Sequence, residues 1–415
     1  MTAAISTAAV AGAGALWWRQ RKEKAEQPLV LCQASPENLA TVRHLSDHLQ
    51  PVLWPSWFTA NAHVATGVGF TRLTPRFEYS ERQEILLDDG GTVALDWLHA
   101  GADARAPVLV LIHGLNGSSD DAYIRWMADL ARRPGPAGGR PAWRVAAYVM
   151  RGCGSLPLTS TRGYSAADPE DLGAALHAVK ARYAEAPIVA AGFSLGGNLL
   201  VKYLARAGAS TPLVAAASIS NPFALRLDGG VHKPGLTAAL YSRLLAFKLK
   251  SYFKEHMRVL QLKGPWVAPA VSSCATVEDI DTIVVPRLLN LENRQAYYEA
   301  KASSTSVGQV GVPLLVLHAR DDPLIDSDAL PVENCLRNSG IIVVQTKWGG
   351  HIGWGTSFSP FSSASWAEFL VLDYLDIKVR AHGQEQRWNG GRKPVQPHFP
   401  IFQAGGREEP QRSRL

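Results

Sequence analysis

The chain is poor in the groups that bind metals through sulfur. Its 415 residues hold four cysteines, Cys32, Cys153, Cys274 and Cys335. They lie far apart and form no CxxC pair. This argues against a disulfide framework and a thiolate zinc site, and predicts buried, idle thiols. His44 and His48 stand four apart, but no HExxH pattern or third ligand accompanies them, so no metal is expected. The chain also lacks a GxxxxGK[ST] phosphate loop, and no cofactor is implied. No run approaches the roughly twenty strongly apolar residues that span a bilayer as a helix. Charged residues make up only 19% of the chain, with Lys plus Arg at 42, Asp plus Glu at 36 and a net charge of +6. Finger spacing, an RNA-binding sheet motif and a basic zipper are all missing, so no nucleic-acid partner is expected.

The ends differ from the body. Residues 3–18 are uncharged and Ala/Gly-rich, with Trp17-Trp18 followed by Arg19-Gln20-Arg21-Lys22. A secretory signal places its charges before the apolar run, and a mitochondrial transit peptide carries Arg in its first turns. Neither fits. Tryptophans beside basic residues suit a membrane interface with a cytosolic flank. Residues 1–25 therefore read either as a membrane anchor, with the rest of the protein cytosolic, or as a disordered or cleaved terminus of a cytoplasmic protein. From 379 to 415 the chain is polar and rich in Arg, Gly, Gln and Pro, which predicts a disordered tail.

Between these ends there is ample material for a core, since 47% of all residues are hydrophobic. Residues 84–98 read as a hairpin turning at Asp88-Asp89-Gly90-Gly91. A continuous apolar run at 107–112 predicts a strand buried on both faces, 143–150 reads as another buried strand, and 187–193, 213–220, 313–319 and 341–346 read as further strands. Helical patterns lie between them. One follows the expected cap Ser119-Asp120-Asp121, one starts at Asp168-Pro169-Glu170-Asp171, and one spans 196–208. Residues 133–141 (RPGPAGGRP) read as a flexible insertion. Strands alternating with helices imply an α/β fold with a mostly parallel central sheet and helices on both faces. About ninety residues separate the strands at 213–220 and 313–319. They contain a basic amphipathic helix at 241–260. That helix reads either as a solvated cap helix or as a surface that docks on anionic lipid. The expected divisions are an N-terminal extension and first hairpin at 26–105, a core at 106–378, and a helical cap insert at about 224–305 over the strand ends, where open α/β sheets bind ligands.

The sharpest motif is Gly192-Phe193-Ser194-Leu195-Gly196, placed between a buried strand and a helix as a nucleophile elbow must be. The tight turn needs small residues two before and two after the serine. The helix N-terminus favours negative charge near the hydroxyl, and the Leu195 N–H points where an oxyanion would form. A serine needs a base, and the base needs an orienting acid. His351, in Gly349-Gly350-His351-Ile352-Gly353, follows a strand and is the best placed of twelve histidines. The acid should lie just past a strand end before it. Asp321 and Asp322 both do, and the sequence Asp322-Pro323-Leu324-Ile325 favours Asp322, with Asp321 left to cap the turn. His113-Gly114-Leu115-Asn116-Gly117 follows another strand, and its Leu115 N–H is the candidate second oxyanion donor.

These residues together resemble the α/β-hydrolase superfamily. More narrowly the chain is similar to the embryogenesis-associated (EMB8-like) and YheT-type branch, which includes eukaryotic ABHD-type lipid esterases and yeast ethyl-ester synthases. The likeness covers roughly residues 40–375. Its narrower marks are His48-Leu49-Gln50-Pro51, Arg151-Gly152 with Thr161 and Tyr164, Ala191 to Asn198, and Gly349 to Gly353. The resemblance implies a Ser194–Asp322–His351 triad acting on small-molecule or lipid acyl esters without a cofactor. Two other outcomes fit the same residues: transfer of the acyl group to an alcohol, and a silent membrane-associated scaffold.

Overall fold

The apolar runs stack side by side as the middle of a ten-stranded sheet. The computed structural model describes residues 27–49, 61–99, 103–135, 139–165, 168–224, 236–355, 363–388 and 401–404. The expected anchor at 3–18 lies outside them. The strands are β1 (Leu29–Gln33), β2 (Glu81–Leu86), β3 (Thr92–Leu98), β4 (Val108–Ile112), β5 (Arg144–Val149), β6 (Ile188–Phe193), β7 (Leu213–Ile219), β8 (Leu314–Ala319), β9 (Ile341–Thr346) and β10 (Ile401–Ala404). Their order is β10-β1-β9-β8-β7-β6-β4-β5-β3-β2. The six strands from β5 to β9 run parallel. The hairpin β2–β3 closes one edge and β1 with β10 closes the other, all antiparallel. All residues of β4, β5, β6 and β8 are buried, as strands covered on both faces must be.

Two apolar layers cover the sheet. On one face, helix α3 (Ala122–Arg132) and helix α8 (Trp366–Trp388) bury Ile124, Met127, Leu370 and Tyr374 against β4, β6 and β7. On the other, α4 (Glu170–Arg182) and α5 (Leu195–Ala207) bury Leu172, Leu176, Leu200 and Leu204. Each such leucine contributes about 1.5–3 kcal/mol of burial. The strand order reverses between β4 and β6, and α/β sheets form their ligand crevice at such a reversal.

Several expectations change. Within residues 26–105, β1 joins the sheet beside β9 and is followed by helix α1 (Pro36–His44). Asp121 stands at the N-cap of α3 but makes no cap bond; its carboxylate accepts the Tyr123 hydroxyl at 2.6 Å instead. At α4 the N-cap position falls on Pro169, again with no side-chain cap, and Asp168 pairs with Arg162. The described ends of 133–141 are tied down. Arg140 is buried, and its guanidinium donates to the carbonyls of Leu130, Ala131, Arg133 and Pro141. The 241–260 helix begins earlier and ends earlier: α6 spans Leu236–Glu255, and a separate turn covers Met257–Leu260. The tail is not structureless throughout, since α8 runs on to Trp388 and 401–404 pair with β1. The four cysteines are free and buried.

Candidate active site

The turn after β6 forces Ser194 into φ 52°, ψ −120°. This backbone region is strained for any residue but glycine, and such strain gathers at functional positions. Only glycines fit around it. A Cβ on Gly192 would meet the Gly196 carbonyl oxygen at 2.5 Å, and one on Gly196 would meet the His113 oxygen at 2.4 Å. Ser194 thereby becomes the cap residue of α5, with Leu195 at its first helical position.

His351 reaches the serine from the loop after β9. Its Nε2 lies 2.9 Å from Ser194 Oγ, and its Nδ1 lies 2.8 Å from Asp322 Oδ2. The carboxylate can only accept, so Nδ1 carries the proton and Nε2 accepts the serine O–H. Asp322 Oδ1 accepts the N–H groups of Leu324 (2.8 Å) and Ile325 (3.0 Å). Burial pushes the Asp322 carboxyl up, but the facing His351 ring and these amides outweigh it and hold it below the usual carboxylate range. Asp321 points elsewhere. Its Oδ1 accepts Gly350 N–H at 2.9 Å, and burial pushes its carboxyl up to about 6. Of the two aspartates, Asp322 is thus the one that meets the histidine.

Leu115 and Leu195 line one cavity together with Ser194 and His351. The turn bearing Leu115 is set by His113, whose ring accepts Met150 N–H (3.2 Å) and bonds the Gly114 carbonyl (2.8 Å). Burial pushes the His113 ring down, which keeps it neutral.

Sequence reasoning missed the helix over this site, α2 (Ala62–Thr71). Its Thr66 Oγ accepts His351 N–H at 2.9 Å, and its Phe70 stacks on the His351 ring with centroids 6.1 Å apart. Ile352, a β-branched residue at φ 61°, donates its N–H to Ser220 Oγ at 3.4 Å. Tyr123 also went unseen; its hydroxyl accepts Gly114 N–H at 3.0 Å. Thr66 and His351 are 285 positions apart, and no local pattern joins them.

The helical insert supplies one wall of the cavity. Tyr252 on α6 donates to the Arg151 carbonyl (3.1 Å), and the ring of the nearby His256 bonds the Gly152 carbonyl (2.8 Å). Arg151 is itself buried and bidentate on Asp171, at 2.5 and 2.8 Å. The cavity holds about 440 Å³ and is mostly apolar, with Leu245, Leu249, Phe253, Leu260 and Leu288 in its wall. Among the described residues no group of three His, Cys, Asp or Glu side chains could hold a metal. No helix among them is long and apolar enough to cross a membrane.

Comparison with known proteins agrees with this architecture. The family model for the alpha/beta hydrolase fold matches residues 107–353. Embryogenesis-associated protein EMB8 of Picea glauca is 34% identical over 332 residues, covering 77% of this chain and 71% of that protein. Phospholipase ABHD3 of Homo sapiens is 32% identical over 360 residues, covering 83% of each. YheT of Escherichia coli (strain K12) is 28% identical over 327 residues, covering 78% of this chain and 92% of that protein. The chain belongs to the alpha/beta hydrolase fold family, and within it is an enzyme of the ester-hydrolase type.

Proposed function

We propose that the chain cleaves carboxylic acyl esters, including lipid esters, through an acyl-enzyme on Ser194. The observation that carries this reading is the unbroken run Asp322–His351–Ser194 opening into an apolar cavity. His351 Nε2 takes the serine proton as Oγ attacks the acyl carbonyl. The Leu195 and Leu115 N–H groups hold the oxyanion of the tetrahedral intermediate; one such donor is worth about 3–4 kcal/mol. Asp322 keeps the ring oriented and stabilises its charged form. His351 then gives its proton to the leaving alcohol oxygen. Water, deprotonated by the same ring, attacks the acyl-serine and releases the acid. The apolar wall suits a hydrocarbon acyl chain, and the name of the relative phospholipase ABHD3 points to lipid.

The test is labelling of the purified chain and its Ser194→Ala variant with a fluorophosphonate, beside a p-nitrophenyl ester series of rising acyl length. Wild type is expected to label and to cleave esters. The variant is expected to lose the label and at least about a thousandfold in kcat. A folded wild type that neither labels nor cleaves any ester would overturn the proposal.

A further inference from the structure

Two buried charged side chains face the same cavity as Ser194 and have no part in the chemistry just described. Lys301 ends helix α7 (Arg294–Lys301), and Asp281 stands in the turn of chain at 280–284. Both line the cavity, and they are only 8% and 4% exposed. The Lys301 ammonium lies 5.4 Å from the centroid of the Tyr297 ring, another wall residue. Asp281 Oδ2 is engaged by the Tyr298 hydroxyl at 3.2 Å. Among the described residues no carboxylate forms an ion pair with Lys301, and its ammonium has no hydrogen-bond acceptor.

Lys301 is nonetheless held in place. Asn198, in the first turn of α5, donates from Nδ2 to the Lys301 carbonyl at 2.7 Å and accepts the Ser303 hydroxyl at 2.6 Å. The lysine backbone is thus pinned one helical turn from Ser194. An ammonium in an apolar cavity wall gains from an acceptor there, since charged groups are poorly compensated in apolar surroundings. Burial pushes the Lys301 ammonium below its usual range; Asp281 opposes this through space but does not fill its three donor positions. An apolar cavity with an under-bonded lysine in its wall, anchored through its backbone carbonyl, is complementary to an apolar ligand that carries an anion.

We propose that Lys301 is an anion subsite of this cavity. It receives a carboxylate or phosphate carried by the ester substrate while the ester carbonyl faces Ser194. The assignment rests on the ester-hydrolase reading of Ser194 and adds a substrate class to it. Asp281 sits beside the subsite as the group an incoming anion must tolerate, so it weakens anion binding as Lys301 strengthens it.

The experiment measures binding to the full-length Ser194→Ala chain by calorimetry, so that no turnover is needed. One ligand pair is methyl octanoate and monomethyl octanedioate, which differ by a carboxylate on the acyl side. The other is 1-octanoylglycerol and 1-octanoylglycerol 3-phosphate, which differ by a phosphate on the alcohol side. For each pair the Kd ratio of neutral to anionic ligand is compared across variants. A hydrogen bond to a charged group is worth about 1.5–3 kcal/mol, or roughly ten- to a hundredfold. Adding Lys301→Met is therefore expected to lower the ratio at least about tenfold in one pair. Lys301→Arg should keep most of it and Asp281→Asn should raise it. Opposite changes at two neighbouring positions do not follow from simple damage to the fold. The affected pair tells whether the anion belongs to the acyl or the alcohol side. A ratio unmoved by both Lys301→Met and Asp281→Asn in both pairs overturns the proposal. If Lys301→Met does not fold, an Asp281→Asn ratio equal to the parent's does the same. Failure of wild-type labelling at Ser194 would strike the ester-hydrolase reading instead, and the binding ratios would still be readable.

Discussion

At the scale of single residues, the two adjacent aspartates carry the sharpest contrast. Asp322 meets His351 at 2.8 Å, while Asp321 meets only the loop backbone. Asp322→Asn should leave the imidazole in the wrong tautomer and lower kcat by about a thousandfold or more, read on a short p-nitrophenyl ester. Asp321→Asn should act on stability. Its carboxyl is raised from 3.8 to about 6, so the folded chain holds that proton to higher pH than the unfolded chain does. The group thus weakens the fold as pH climbs from 4 to 6, and the loss persists above that. An amide oxygen can still accept Gly350 N–H without this handicap. Asp321→Asn should therefore raise the unfolding free energy at pH 7–8 by of order 1–2 kcal/mol, and the gain should vanish below pH 4. Unfolding curves at the two pH values decide it.

Ser194, His351 and the His113–Gly117 turn could be picked out because each sits in a short pattern whose members are local in sequence, and all three border one cavity. Sequence alone could favour Asp322 over Asp321 only by the Pro-Leu-Ile that follows it, and the hydrogen bonds now separate them. Thr66 and Phe70 could not be read, for they act on a ring 285 and 281 positions later.

At the scale of elements, the parallel strands were legible as largely apolar segments. Helix α2 was not. Its sequence AHVATGVGFT holds two glycines and little amphipathic pattern, so helix propensity argues against it. The reason for Gly69 is tertiary: a Cβ there would lie 2.6 Å from the Ile352 carbonyl oxygen. Helix α2 is shaped to let the histidine loop pass. Thr66→Val removes the oxygen that fixes His351 N–H while keeping the volume. It should lower kcat about tenfold, with a loss of ~1 kcal/mol in stability; kinetics and melting measured on one preparation test both parts.

Helix α6 carries a second element-scale consequence. Leu240, Leu244 and Phe247 are 57%, 53% and 72% exposed and lie one turn apart on one side. Phe70 of α2 flanks them, and the two helices touch through His63 and Tyr241. A solvent-exposed apolar strip of this kind is what docking on a lipid surface would need, and the exposed basic residues Arg243, Lys248 and Lys254 on the same helix would suit an anionic one. Leu240 lies outside the cavity wall. Leu240→Asp should slow cleavage of esters carried in anionic vesicles several-fold and change cleavage of a soluble short ester little.

At the scale of the whole molecule, the sheet fixes the reacting groups while distant segments clamp them. One clamp is the buried pair of Arg72, just past α2, with Glu368 in the first turn of α8. Arg72 also donates to the Ser363 carbonyl, and Glu368 accepts Ser365 N–H. Removing one member leaves the other charged and buried, which costs about 3–5 kcal/mol. Arg72→Met should therefore destabilise the chain by that amount in denaturant unfolding. It should also lower activity beyond the unfolded fraction, since α2 would lose its hold beside His351. The least legible part of the sheet was the side formed by β1 and β10, which are short and do not alternate clearly enough to stand out from their surroundings.

The position of β1 bears on how the protein is made. Its partners in the sheet are β9 and β10, so residues 29–33 must wait for residues 341–346 and 401–404. On a ribosome the chain emerges from its N-terminus at about 5–20 residues per second. The first strand would spend tens of seconds outside the tunnel with no neighbour to join. The helix that steadies the histidine waits for nearly as long. Enzymatic competence would thus arrive abruptly near the end of synthesis, and a nascent chain stalled before residue 351 would be silent however well its central strands had folded.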